Sequence, residues 1–200
     1  MGLHYYWAMI TLIRHAESVA NAGHRTDDPR TIGLTDTGVR QAEALAQKWE
    51  KAPSRLISSP FQRAFDTAKP LAARFGLPIH VGAVQEFTYL SPDRCRGTTQ
   101  HERKNWVDAY WQRAQPDFRD GTGAETFREF AARVEGAICS IAGSCAPGVV
   151  VICHGQVIQM ACWLVGRSAV SIDANAMREF RELDIDSPVG HCDQRVLRST

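Results

Sequence analysis

Met9-Ile-Thr-Leu-Ile-Arg-His-Ala-Glu-Ser18 opens the ordered reading of this chain. Met9 to Ile13 is an apolar run whose length and composition suit a strand buried on both faces. A polar loop with Pro29 follows, from His24 to Gly33, and Thr35 then starts a helix. Thr35 can cap it, Asp36 lies in its first turn, and Val39, Ala42, Leu45, Ala46 and Trp49 recur at helical spacing up to Pro53. Leu56-Ile-Ser-Ser59 reads as a short strand. Pro60 opens a second helix with Phe61, Ala64, Phe65, Ala68 and Leu71 on one side, closed by Gly76. Ile79-His-Val81 is a third, shorter strand. The pattern loosens between Phe87 and Thr122, and helical spacing returns from Glu125 to Ala142. Val149-Val-Val-Ile-Cys153 is the most apolar strand of the chain, followed by an apolar helix from Gln156 to Val165 that Gly166 closes. Met177 to Asp186 and Gln194 to Arg198 are expected as outer strands.

Strands alternating with helices predict an α/β fold with a mostly parallel sheet covered on both faces. In such sheets ligands bind beyond the carboxyl ends of the strands. Arg14 and His15 follow the first strand, Ser59 and Arg63 follow the second, and His154, Gly155 and Gln156 follow the fourth. If those strands are neighbours, two arginines and two histidines converge. Two guanidiniums present fixed N–H donors that suit a phosphoryl group. An unprotonated imidazole is a good nucleophile toward phosphorus when its other N–H is held. The N–H of Gln156, after Gly155, is a natural helix-end donor.

The chain has 200 residues, with 23 Lys plus Arg against 22 Asp plus Glu. That balance argues against a broad footprint for nucleic acid or an acidic membrane, so local charge must hold any anionic ligand. No apolar run reaches the roughly 18 residues of a membrane span. One domain is expected over residues 1–200, with 1–8 as an extension of little structural weight, since that segment lacks the n-region and cleavage site of a signal peptide. Six cysteines without a C-x-x-C pair are expected to be reduced thiols of a cytoplasmic protein. The histidines do not sit near them in ligand-like spacing, so no metal site is expected.

Leu12-Ile-Arg-His-Ala-Glu-Ser-Val-Ala-Asn21, Leu34-Thr-Asp-Thr-Gly-Val-Arg-Gln-Ala42, Ser58-Ser-Pro-Phe-Gln-Arg-Ala-Phe-Asp-Thr-Ala68, the Glu86 segment, Gly123-Ala-Glu-Thr126 and His154-Gly155 occur in an order that resembles the histidine phosphatase superfamily, which includes the cofactor-dependent phosphoglycerate mutases. Ala16 departs from the family's usual Gly. The resemblance implies a three-layer α/β/α sandwich with residues 87–122 as a small lid. It also implies His15 as the nucleophile that becomes a phosphohistidine, and Arg14, Arg63 and His154 as groups that clamp the phosphoryl oxygens. Glu86 stands where the family places its proton donor and base, and Asn21 at a phosphate-pocket position; no cofactor is required. Glu125 matches a recurrent position whose role stays open.

Tyr89, three residues after the acid, resembles the mutases. Asp27-Asp-Pro-Arg30, where they carry a Ser/Thr-Gly-Trp run, and Phe87, where they carry Arg, do not. Phosphomonoester hydrolysis is therefore expected ahead of mutase-type transfer or a catalytically silent phospholigand-binding role. The expected partner is a small phosphorylated metabolite. In the lid, Arg94, Arg96, Arg103 and Lys104 are candidates to meet a second anionic group, with Arg94 the leading one, and Trp106, Tyr110 and Trp111 to meet an organic moiety. His4, His24, His80, His101 and His191 are given no role.

Overall fold

The computed structural model of the chain describes residues 9–144, 147–165, 167 and 171–198. In chain order the elements are β1 (Ile10–Arg14), α1 (Asp36–Lys48), β2 (Arg55–Ser58), α2 (Gln62–Phe75), β3 (Ile79–Val81), α3 (Pro92–Cys95), α4 (Lys104–Arg113), α5 (Phe127–Ser144), β4 (Val149–Cys153), α6 (Gly155–Val165), α7 (Ala174–Asp186) and β5 (Gln194–Leu197). The strands form one sheet in the order β3-β2-β4-β1-β5. Pairing is parallel except at the β1–β5 edge, which is antiparallel. The expected N-terminal extension, the Gly166 helix end and Cys145 lie outside the described residues.

The alternation of side chains along a strand divides the core in two. Val149, Val151 and Cys153 of β4 join Ile10 and Leu12 of β1 on one face, packed with Phe127, Phe130, Val134 and Ile138 of α5, Val157, Ile158 and Met160 of α6, and Phe180 of α7. Val150 and Ile152 join Ile13 and Leu56 on the other, covered by Leu45 and Ala46 of α1 and Ala64, Ala68 and Leu71 of α2. Helices on both faces make the expected three layers.

Three helix ends are fixed by local chemistry. The Thr35 hydroxyl accepts from Gly38 N at 3.0 Å and caps α1. Gly76, at φ 64°, ends α2 in the left-handed conformation that glycine adopts without strain. Thr126 and Glu129 form a reciprocal capping box at the start of α5: Glu129 N donates to Thr126 Oγ1 at 3.1 Å and Thr126 N to Glu129 Oε2 at 2.9 Å.

One expected element is of the wrong type. Met177 to Asp186 belongs to a helix, α7, not an outer strand. The Asp173 carboxylate accepts from Asn175 N and Ala176 N, both at 2.9 Å, and so nucleates the first turn. Ala176, Met177 and Phe180 then bury a stripe at helical spacing. Gln194–Leu197 is the outer strand expected there.

Candidate active site

β4 lies between β1 and β2, so the carboxyl ends of all three meet. Backbone bonds continue the ladder past the strands: His15 N donates to Cys153 O and Ser59 N to Ile152 O, both at 2.9 Å. This carries His15, Ser59 and His154 onto one level, and the first turn of α2 adds Arg63. All four are buried, with His154 and Ser59 fully so.

The His15 ring is held at both nitrogens. Nδ1 lies 2.7 Å from Ala16 O, an acceptor, so Nδ1 carries the proton. Nε2 is therefore the lone-pair nitrogen, and Arg63 Nε donates to it at 3.1 Å. Arg63 Nη1 donates to Pro29 O at 2.7 Å, and its guanidinium lies 5.1 Å from the Phe61 ring centre. Arg14 is fixed by donation from Nη1 to Val189 O at 2.5 Å. His154 sits with its ring centre 5.0 Å from that of His15, its Nε2 2.8 Å from Ser59 Oγ, and its buried Nδ1 without a partner among the described residues. Ala16 N donates to Thr67 Oγ1 at 3.0 Å, and the Ala16 methyl is fully buried without a positive φ, so this loop accepts alanine.

Burial, then the Arg63 cation, holds the pKa of both His15 and His154 well below the ordinary imidazole value, so both rings are neutral near pH 7. Burial also lowers Arg14, and takes Arg63 down to about 10, which leaves both guanidiniums charged. Glu86 has the opposite displacement: burial pushes its carboxyl pKa up, with Arg63 opposing. Its Oε1 accepts from Phe87 N at 3.1 Å. A neutral imidazole, two cations and a carboxyl group biased toward its protonated form thus share one wall.

That wall closes a cavity of about 400 Å³. Arg14, His15, Asn21, Arg63, Glu86, Tyr89 and Gln156 all line it. The Asn21 carbonyl accepts from Ser18 N at 3.2 Å and Ser18 Oγ at 2.7 Å, which leaves the amide N–H groups for the cavity. Gln156 is tied by its amide to Asp184 Oδ2 at 3.0 Å. Gly155 is not part of the lining; a Cβ there would meet Arg14 Cδ and Nε at 3.8 Å, so it packs beside the clamp.

The side chains of residues 87–122 differ from expectation. Arg94 is outside the lining: Nη1 pairs with Asp120 at 2.7 Å and the guanidinium lies over the Trp106 ring at 4.4 Å. Arg96 pairs with Asp93, and Lys104 with Asp108. Tyr110 and Trp111 are buried in the core against Phe87 and Tyr89, which anchors this segment and withholds both rings from the cavity. Of the four candidate cations, Arg103 is in the lining. Its bonds run to neutral oxygens, Thr98 Oγ1 at 2.7 Å, Thr26 Oγ1 at 3.0 Å and Thr98 O at 2.7 Å, with no carboxylate partner among the described residues. Glu125 is architectural: both its oxygens take Arg133 at 2.7 Å.

Sequence reasoning missed Thr67, Asp184 and His191. Thr67 stands 51 positions from the loop it supports. Asp184 lay hidden by the misread of α7. His191 comes to 6.3 Å from the His15 ring through a loop that no local pattern announces.

A mostly parallel α/β sheet gathers a held imidazole and two arginines beyond the carboxyl ends of its central strands. The chain belongs to the histidine phosphatase superfamily (branch 1), whose profile matches residues 10–182. It is 34% identical over 94 residues to the glucosyl-3-phosphoglycerate phosphatase of Mycolicibacterium vanbaalenii, covering 42% of each chain. It is 29% identical over 155 residues to a metal-independent phosphoserine phosphatase of Arabidopsis thaliana, covering 75% of this chain and 65% of that one. These matches span less than two thirds of either relative's own length. Among solved structures, a mycobacterial glucosyl-3-phosphoglycerate phosphatase with VO3 superposes with a TM-score of 0.71 at 21% identity, over 96% of this chain and 98% of that one. At that identity the likeness speaks to the fold alone.

Proposed function

We propose that this chain is a phosphomonoester hydrolase acting through a phosphohistidine on His15, in a single domain whose 87–122 segment is the lid. The carrying observation is the His15 ring in the cavity lining: Nδ1–H is spent on Ala16 O, and Nε2 is the lone-pair nitrogen, oriented by the N–H of Arg63. In the first step Nε2 bonds to phosphorus, the ester P–O bond breaks, and Glu86 gives its proton to the leaving oxygen. Arg14 and Arg63 meet the charge on the equatorial oxygens, with the Asn21 amide beside them, while His154, fully buried and outside the lining, packs against the His15 ring. In the second step Glu86, now a carboxylate, takes a proton from water as water attacks phosphorus and the P–N bond breaks. Protein donors meet the phosphoryl charge throughout, so the scheme needs no cofactor.

Phe87 supports hydrolysis over mutase-type transfer. It is buried and stacked on Phe130 at 4.4 Å, so the position after the acid anchors the lid and offers no cation to a returning substrate. The substrate is a small phosphorylated metabolite whose organic part carries a second anionic group, met by Arg103. That fits the phosphoglycerate and phosphoserine esters in the relatives' names. The described cysteines are free thiols, which supports a cytoplasmic enzyme. No helix among the described residues is long and apolar enough to cross a membrane.

The test is phosphate release from aryl phosphate, phosphoglycerates, phosphoserine and sugar phosphates by wild type and His15→Ala, with acid-labile phosphoenzyme trapped in parallel. Release and trapping in wild type alone are expected. Release that survives His15→Ala overturns the mechanism.

A further inference from the structure

Neither half-reaction uses His191, yet its ring centre lies 6.3 Å from that of His15, at 36° to it. Its Nε2 is buried and has no hydrogen-bond partner among the described residues. The loop that presents it, residues 187–193 between α7 and β5, is built around Arg14. Val189 O takes the Arg14 guanidinium, Arg14 N donates to Asp193 O at 3.1 Å, and Cys192 N donates to Arg14 O at 3.0 Å. Gly190 N donates to Asp193 Oδ2 at 2.8 Å, and a Cβ on Gly190 would meet that oxygen at the same distance, so a side chain there displaces the Asp193 carboxylate. Cys192 has φ 61°, a left-handed conformation that costs a residue with a side chain. The Gly190–Asp193 turn and a strained cysteine therefore bracket His191 and set where its ring goes.

The charged and titratable groups facing this ring are Arg14, His15 and Glu17 from β1 and the loop after it, and Asp193 from its own loop. Burial and Arg14 hold the His191 pKa below the ordinary imidazole value, with Glu17 and Asp193 opposing. Both nitrogens of His15 are engaged, Nδ1–H with Ala16 O and Nε2 with the Arg63 N–H, whereas His191 Nε2 has no partner among the described residues. A proton arriving on acidification therefore finds its free site on His191, and two rings this close titrate as a coupled pair.

We propose that His191 is a positioning residue that guards the neutral form of the nucleophile: once protonated, it sets a like charge beside His15 and keeps Nε2 free of a proton to lower pH. This rests on His15 being the nucleophile. Two like charges about 6 Å apart at a partly solvated site correspond to a shift of roughly one pH unit.

The test compares wild type, His191→Asn and His191→Lys. One readout is the NMR titration of the His15 ring in the free protein, which needs no turnover. The other is kcat/KM for p-nitrophenyl phosphate between about pH 4 and 9. In His191→Asn the His15 pKa and the acid limb of kcat/KM are expected to rise together by roughly one unit, with the alkaline side within about threefold of wild type. The permanent cation of His191→Lys is expected to return both to the wild-type position or lower. Superimposable His15 titrations in wild type and His191→Asn overturn the proposal. So does an equal loss at every pH in both variants, which assigns the residue to loop support alone. Absent hydrolysis in wild type counts against the phosphatase reading, while the NMR titration still decides the role of His191.

Discussion

Replacing Gly38 by alanine tests how α1 carries the nucleophile loop. In an exposed helix the change gains about 0.5–1 kcal/mol, because alanine loses less backbone freedom on folding. Here a Cβ would stand 2.0 Å from Glu17 O and 3.0 Å from Glu17 C, both backbone atoms two residues past His15. Relief needs a retreat of more than about 1 Å, since carbon and oxygen rest some 3.3 Å apart. That retreat pulls on Thr35 N–H···O=C Glu17 at 3.1 Å and on Glu17 N–H···Oε1 Gln41 at 2.8 Å. Overpacking costs about 1–3 kcal/mol and each weakened bond about 1, so the helix gain is outweighed and the net loss is about 2–4 kcal/mol. For a chain of this size that lowers Tm by about 5–15 °C. Urea and thermal unfolding followed by tryptophan fluorescence measure it, with Gly136→Ala as control. Gly136 lies inside α5 and an added Cβ meets nothing within 4 Å, so this variant is expected to gain about 0.5–1 kcal/mol. A Gly38→Ala protein as stable as wild type refutes the reasoning.

Glu86→Gln is expected to cut kcat by about 10²–10⁴-fold, because it removes the proton donor and base from both half-reactions. The same variant is expected to be more stable than wild type on the alkaline side. The native Glu86 pKa is raised, so the unfolded chain releases this proton first, and the Glu86 contribution is lost as pH rises through the native value. Urea midpoints at acid and alkaline pH check the sign; a wild-type advantage that grows with pH contradicts it. Arg103→Ala is expected to raise KM for a carboxylated phosphoester about tenfold or more and to leave aryl phosphate nearly unchanged. Arg94→Ala, already neutralised by Asp120, is expected to stay within about twofold on both; steady-state kinetics of the two variants that reverse this order count against the cavity assignment.

The parts of this protein governed by short-range patterning were legible in its residues. The apolar runs of β1 and β4 announced buried strands, and Thr35 and Gly76 marked helix ends through backbone chemistry that operates within four positions. The Arg14, His15, Arg63 and His154 set was legible because the ends of parallel strands share one edge of a sheet, so topology substituted for distance. What failed depended on partners far along the chain. α7 carries a sparse apolar stripe, and its cap at Asp173 is the stronger signal. Arg94 and Arg103 look alike as lid cations, and only the fold shows that Asp120 neutralises one while threonine oxygens hold the other at the cavity. His191 and Cys192 owe their placement to the backbone of Arg14, at the other end of the sequence and adjacent in space.

The grip of residues 187–193 on Arg14 links the site to the order of synthesis. Arg14 is made early, but its carbonyl partner at Val189 comes 175 positions later, and the antiparallel neighbour of β1 later still. Until those residues leave the ribosome, the Arg14 side chain lacks a support and one edge of β1 stays unpaired. A chain clipped before residue 187 keeps both defects, and an open strand edge is a template for aggregation. A single missing segment thus leaves two marks, an unheld arginine and an open edge.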